Sequence, residues 1–222
     1  MPTNMQGLTN PVDFDRLRRL HAQAVRDSVT LVRRVAPADL PLPTPCEAWT
    51  LADLLAHMTA QHHGFAAAAR GEGQDPAHWE VRPAGEGAPA RYGEAAARVV
   101  AAFAAVDTPD RAFALPEFTR ARTFPADRAV GFHLIDYVVH SWDVARSLGL
   151  PYAPGPELLA VALPIAHAVP TGDARIAPGS PFRPELVPAA GTGPLDRILA
   201  ALGRSADWRP SDRRSVDGRR PC

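Results

Sequence analysis

The sequence contains no lysine: all 24 of its basic residues are arginine. Alongside abundant alanine and proline, that absence reads as a compositional bias, so arginine richness by itself says little about function. Charge excess is missing too. The 24 basic residues face 24 acidic ones, for a formal net charge of zero, whereas a nucleic-acid binder carries a basic surplus or stripe. Two cysteines, Cys46 and Cys222, are too few for a disulfide framework. No apolar run approaches the roughly 20 residues that cross a bilayer, and the N-terminus lacks the basic-then-apolar order of a secretory signal. The expectation is a cytoplasmic protein with neither a membrane nor a nucleic-acid partner.

What the sequence does hold is helical periodicity. After Asp13, a plausible N-cap, Phe14, Leu17, Leu20, Ala24, Val25, Leu31 and Val32 recur at helical spacing until the Pro37–Pro45 cluster. A second helix opens at Thr50-Leu51-Ala52-Asp53, where the threonine hydroxyl and the aspartate carboxylate form a capping box. It runs to about Arg70 and stops at Gly71. A third spans roughly Pro89 to Val106. A fourth runs from about Pro125, suited to a first turn, to Leu148 before Gly149. With no strand-like alternation, these four segments predict an all-α four-helix bundle over residues 1–150. Residues 151–208 read as a short C-terminal helical extension packed on the bundle. It has a helix at 156–168 broken near Pro164 and another at 193–203. Residues 209–222 read as a disordered tail. The irregular stretches 71–90 and 107–124 read as loops able to line a site, although nothing in their composition requires it.

Asp136 and His140 lie four apart on the fourth helix, which stacks both side chains on one face about 6 Å apart. His57 lies on the second helix, seven residues past its cap. If the two helices pack side by side, the three can meet as mixed His/carboxylate ligands of one ion, leaving a position open, as in catalytic zinc sites. Spacing alone leaves a helix-stabilising hydrogen bond between Asp136 and His140 as the competing reading. His133, one turn earlier, fits a ligand, a residue supporting the ligands, or a solvated side chain; the supporting role is preferred. At most one of His62 and His63 can face inward, while His21, His78 and His167 read as structural or exposed. Cys46, just ahead of the second helix, suits packing under the helix start, with a reactive thiol as the alternative.

Two ordered motifs carry a resemblance. Thr44-Pro-Cys-Glu-Ala-Trp-Thr-Leu-Ala-Asp-Leu-Leu-Ala-His57 and Asp136-Tyr-Val-Val-His-Ser-Trp-Asp-Val-Ala-Arg-Ser-Leu-Gly149 resemble the signatures of the mycothiol-dependent maleylpyruvate isomerase family, within the DinB-like (YfiT-like) superfamily. A weaker echo, Pro181-Phe182 with Leu199-Ala-Ala-Leu-Gly-Arg-Ser-Ala-Asp-Trp208, is similar to a short actinobacterial branch of that family. The resemblance spans about residues 13 to 208. It implies a DinB-like four-helix bundle in which His57, Asp136 and His140 bind a divalent ion, usually zinc.

One departure matters. The characterised isomerase has glutamate where this chain has Asp136, one methylene shorter, so Ni2+, Fe2+ or Mn2+ become admissible beside Zn2+. The family implies mycothiol as a small-molecule thiol cosubstrate, an electrophilic substrate, and an activity as isomerase or thiol S-transferase, with a homodimer also plausible. The alternative is a non-catalytic metal-binding or sensing bundle. Arg146, Arg175 and Arg183 are candidates to grip a dicarboxylate. Trp142 is expected to pack at a helix seam, Asp143 to anchor a loop or an arginine, and Trp49 and Thr50 to shape the start of the second helix.

Overall fold

In the computed structural model, which describes residues 13–46, 48–176 and 182–210, the helix starts follow their caps. Asp13 accepts a hydrogen bond from Asp15 N and opens α1 (Phe14–Val32). Thr50 Oγ1 accepts from Asp53 N at 3.2 Å, and Asp53 Oδ2 accepts from Thr50 N at 2.9 Å. This box opens α2 (Leu51–Ala69) and satisfies two backbone donors that would otherwise be orphaned. Gly87, in a left-handed conformation, precedes α3 (Ala88–Ala104).

The stretch 107–124, expected to be a loop, contains a two-residue strand β1 (Ala112–Phe113). It pairs antiparallel with β2 (Phe124–Pro125), Phe113 opposite Phe124. Pro125 therefore ends a strand and stands at the N-cap of α4 (Ala126–Ser147) rather than within its first turn. Gly149, at φ +66°, closes α4: Leu150 N donates to Ala145 O and Gly149 N to Arg146 O, the paired pattern of a Schellman end.

α1 packs along α4 and α3, and α2 along α3 and α4. α1 buries one stripe, including Leu17, Leu20, Ala24, Val25, Leu31 and Val32, and leaves Arg19 and Arg26 exposed. α2 and α4 are buried on most sides, which makes them the central pair. α5 (Pro156–His167) lies against α4 and α1, and α6 (Pro194–Ala201) against α5. α5 continues through Pro164 instead of breaking there. The missing N–H leaves one carbonyl without its helical donor, while Leu158, Val161, Ala162 and Ala166 stay buried on both sides of it. Most of the expected tail, residues 211–222 with Cys222, lies outside the described residues. No helix among the described residues is long and apolar enough to cross a membrane.

The segment 71–90 runs over α2 and is fastened by Trp79. The indole Nε1 donates to Gly73 O at 2.8 Å, and the ring fills the space beside Gly64. A Cβ at Gly64 would stand 2.2 Å from the indole Cε3. Gly64→Ala is therefore expected to lower stability by about 1–3 kcal/mol, the usual cost of overpacking. Chemical denaturation followed by tryptophan fluorescence should show it, and an unchanged midpoint would contradict this packing.

Candidate metal centre

α2 and α4 bring His57, Asp136 and His140 together at their shared face. One ligand atom from each lies within 4.8 Å of the other two. His140 Nε2 is 3.2 Å from Asp136 Oδ1, and the rings of His57 and His140 meet edge-on with centroids 5.4 Å apart. His140 is buried, whereas the Asp136 side chain keeps 26% of its surface exposed. The set is thus closed on the protein side and open on one side, as a site that must admit a further ligand requires.

The charges favour a cation. Burial depresses the His57 ring to about 4, with Asp136 opposing, so at neutral pH it presents a lone pair. Burial alone would also lower His140, but Asp136 and Asp143 outweigh it and raise the ring to about 9. Asp136 itself is held below the usual carboxylate range: burial pushes it up, and the His140 and His57 rings more than compensate. The His140 ring and the Asp136 carboxylate thus favour each other's charged forms across 3.2 Å, where a divalent ion would satisfy the same two groups. The two imidazoles and one carboxylate suit zinc and its neighbours in the first transition row.

Behind His140 stands Asp143. Its carboxylate Oδ2 accepts from His140 Nδ1 at 2.9 Å, which turns Nε2 toward Asp136; this is the arrangement that orients a metal-binding histidine. Oδ2 also accepts from Arg204 at 3.3 Å, in line with the anchoring expected of Asp143. Cys46 is buried with its Sγ 3.3 Å from both Asp143 Oδ2 and the Arg204 guanidinium. Cys46, His140 and Asp143 also converge, but Cys46 is not a free thiol and offers no thiolate to a cation. The guanidinium already occupies that corner, so a cation there would meet like charge.

His133, expected to support the ligands, is paired with two other histidines. His133 Nδ1 lies 2.8 Å from His21 Nε2, and its Nε2 lies 3.4 Å from His62 Nδ1. These three rings, from α1, α4 and α2, form a buried row flanked by Tyr137, Phe65 and Phe103. One helical turn from Asp136 was too coarse a measure, because the neighbouring helix α1 offered His133 a nearer partner.

His62 faces inward and His63 does not. Arg175 is spent on backbone carbonyls, among them Pro170 O at 2.7 Å, and Arg146 lies over the Trp142 ring and donates to Ala206 O. Neither points to a bound dicarboxylate. Trp49, expected only to shape a helix start, lies 4.8 Å from the His57 ring and 6.5 Å from His140, so it forms an apolar wall of the ligand set. On the β1–β2 connection, Glu117 accepts from Gln61 Nε2 at 2.7 Å; Gln61 stands one turn beyond His57.

Comparison with known proteins agrees with this architecture. The family model for the mycothiol maleylpyruvate isomerase N-terminal domain matches residues 21–145. Two uncharacterized proteins of Mycobacterium tuberculosis, from strains CDC 1551 / Oshkosh and ATCC 25618 / H37Rv, are each 30% identical over 185 residues, covering 83% of this chain and 96% of theirs. The crystal structure of the mycothiol-dependent maleylpyruvate isomerase superposes with a TM-score of 0.60 at 15% identity, covering 88% of this chain and 91% of that one. A histidine-to-alanine mutant of the isomerase superposes at 0.63 and 13% identity over the same shares. At such identities the likeness establishes the fold. With more than half its length matched, the chain belongs to the family of the mycothiol maleylpyruvate isomerase N-terminal domain.

Proposed function

We propose that the protein is a metal-dependent thiol enzyme, in which His57, Asp136 and His140 hold a divalent ion, zinc first among the candidates, and mycothiol is the thiol. The observation that carries this reading is the convergence of three ligand atoms with Asp143 placed behind His140. When bound, the ion supplies the Lewis acidity that makes a thiol an anionic nucleophile near neutral pH. The chain's own groups do the rest. His57 and His140 present nitrogen lone pairs, Asp136 supplies negative charge beside the open side, Asp143 fixes the His140 ring, and Trp49 keeps water from one flank.

The chemistry supported is addition of the thiolate to an electron-poor alkene, rotation about the resulting single bond, and departure of the same thiolate. The alkene is returned with inverted geometry and the thiol is not consumed. If the thiol remains attached and the substrate carbanion takes a proton, the net reaction is S-transfer.

The test is an assay of zinc-loaded protein with mycothiol against cis-alkenes conjugated to carbonyls and against other electrophiles. Turnover should require both thiol and metal and should vanish in His57→Ala. Inactivity toward the whole panel in protein that binds one ion per chain would favour a metal-binding or sensing bundle instead.

A further inference from the structure

We propose that Arg204, which lies outside the matched residues 21–145, is a positioning residue of the metal-ligand set, holding Asp143 against His140. The proposal rests on the metal-holding reading of His57, Asp136 and His140.

The starting point is an ion pair where stability alone does not call for one. The Asp143 side chain is 0% exposed and the Arg204 side chain 5%. Removing both charges from water carries a large desolvation cost, so a buried pair is weak as a stabiliser and an apolar pair would often serve as well. Something else must use its geometry.

Local structure shows how the arginine arrives there. α6 ends in a Schellman motif: Arg204 N donates to Leu199 O at 2.8 Å and Gly203 N to Ala200 O at 3.1 Å. Gly203 has φ +75°, and a Cβ on it would stand 2.6 Å from Arg183 Cβ. The residue after such a glycine usually turns an apolar side chain back onto its own helix. Here that position carries a guanidinium, and it enters the core.

Its donors are then spread over separate elements. One nitrogen donates to Leu202 O at 3.0 Å, and the other reaches both Asp143 Oδ2 and Cys46 Sγ at 3.3 Å. The planar fork ties the end of α6 and the approach to α2 to a carboxylate on α4. That carboxylate oxygen also accepts from His140 Nδ1. The route from Arg204 through Asp143 to His140 therefore fixes how Nε2 is aimed, and it completes the site with a residue 61 positions beyond Asp143.

The test uses the full chain, with Arg204→Met, similar in length but uncharged, and Arg204→Lys. Two readouts are taken: zinc affinity by chelator competition, and the His140 Nδ1–H resonance in metal-depleted protein by nitrogen-edited NMR. In wild type that proton should be at low field and protected from exchange. Arg204→Met should weaken zinc binding about 10- to 100-fold, the range for losing a group that orients a ligand, and should broaden or shift the proton. Arg204→Lys should fall between, since a point charge cannot fork between Leu202 O and Asp143. Zinc affinity within about twofold of wild type and an unmoved resonance in Arg204→Met would overturn the proposal. If that variant does not fold, wild-type zinc affinity in Arg204→Lys overturns it equally. If wild-type protein binds no zinc at all, the metal reading fails, and the Nδ1–H resonance alone decides whether Arg204 positions His140.

Discussion

His57→Ala is expected to abolish stoichiometric metal binding, with an affinity loss beyond the ~100-fold that follows from disturbing a supporting residue, while helical content is retained. His57 is only half-buried and has no hydrogen-bond partner on the protein side among the described residues, so truncation removes a ligand and a ring contact with Trp49 but leaves the α1–α4 core in place. His140→Ala should lose the metal equally and cost stability as well. It strips the Nδ1 donor from Asp143, a fully buried carboxylate, and an acceptor deprived of a partner in the core costs about 1–3 kcal/mol. Elemental analysis after chelation and reloading, together with circular dichroism and denaturant midpoints, separates the two variants. One ion per chain surviving in His57→Ala would remove the metal centre from the account.

That contrast shows what the sequence could and could not reveal. The Asp136/His140 pair was legible because helical spacing is rigid: residues four apart share a face whatever surrounds them. The position of His57 on α2 was legible because Thr50 and Asp53 announce the helix start, which sets where each later residue points. Its meeting with α4 needed the packing of two helices, which periodicity alone does not supply and the family motifs did.

Residues that depend on tertiary neighbours were harder to place. His133 has the right helical phase to support the ligands, but its partners come from α1 and α2, far away in sequence. Trp49 reads as a hydrophobic residue ahead of a cap, and only the fold turns its ring onto His57 and His140. Arg204 left a faint trace, a Leu-Gly-Arg run that ends a helix, with nothing local to say that the arginine turns inward. The β1–β2 pair is two residues per strand, too short for an alternating pattern to register. Pro164 misled in the opposite sense: a local helix-breaker was overruled by the apolar residues buried on either side of it.

The row of His21, His133 and His62 should make the protein lose stability steeply in mild acid. All three rings are buried, and only the inner nitrogens are paired. His21 Nδ1 and His62 Nε2 have no hydrogen-bond partner among the described residues. Burial pushes His21 down to about 3 and, helped by the neighbouring imidazoles, holds His62 and His133 well below their ordinary value. In the unfolded chain each histidine titrates near 6.5. Below that pH the unfolded state binds protons that the folded state refuses, so stability is full above about 6.5 and falls as pH drops toward the folded-state values. Each ring contributes a slope of about 1.4 kcal/mol per pH unit once the unfolded chain is protonated. Between pH 7 and 5.5 the three together should cost about 4 kcal/mol, a large share of the ~5–15 kcal/mol that holds a typical domain folded. His140 offsets only a small part of this. Its folded-state value near 9 in metal-free protein means that its contribution is complete below about 6.5 and is lost progressively as pH rises from there through 9. Urea midpoints measured from pH 7.5 to 5 on metal-free protein should therefore fall steeply. In His21→Phe, which removes one of the three rings, the fall below pH 6.5 should be shallower by about 1.4 kcal/mol per pH unit. A stability curve that stays flat through pH 5.5 would mean that the folded protein accepts protons on this row, and that the three imidazoles are not held neutral by the core around them.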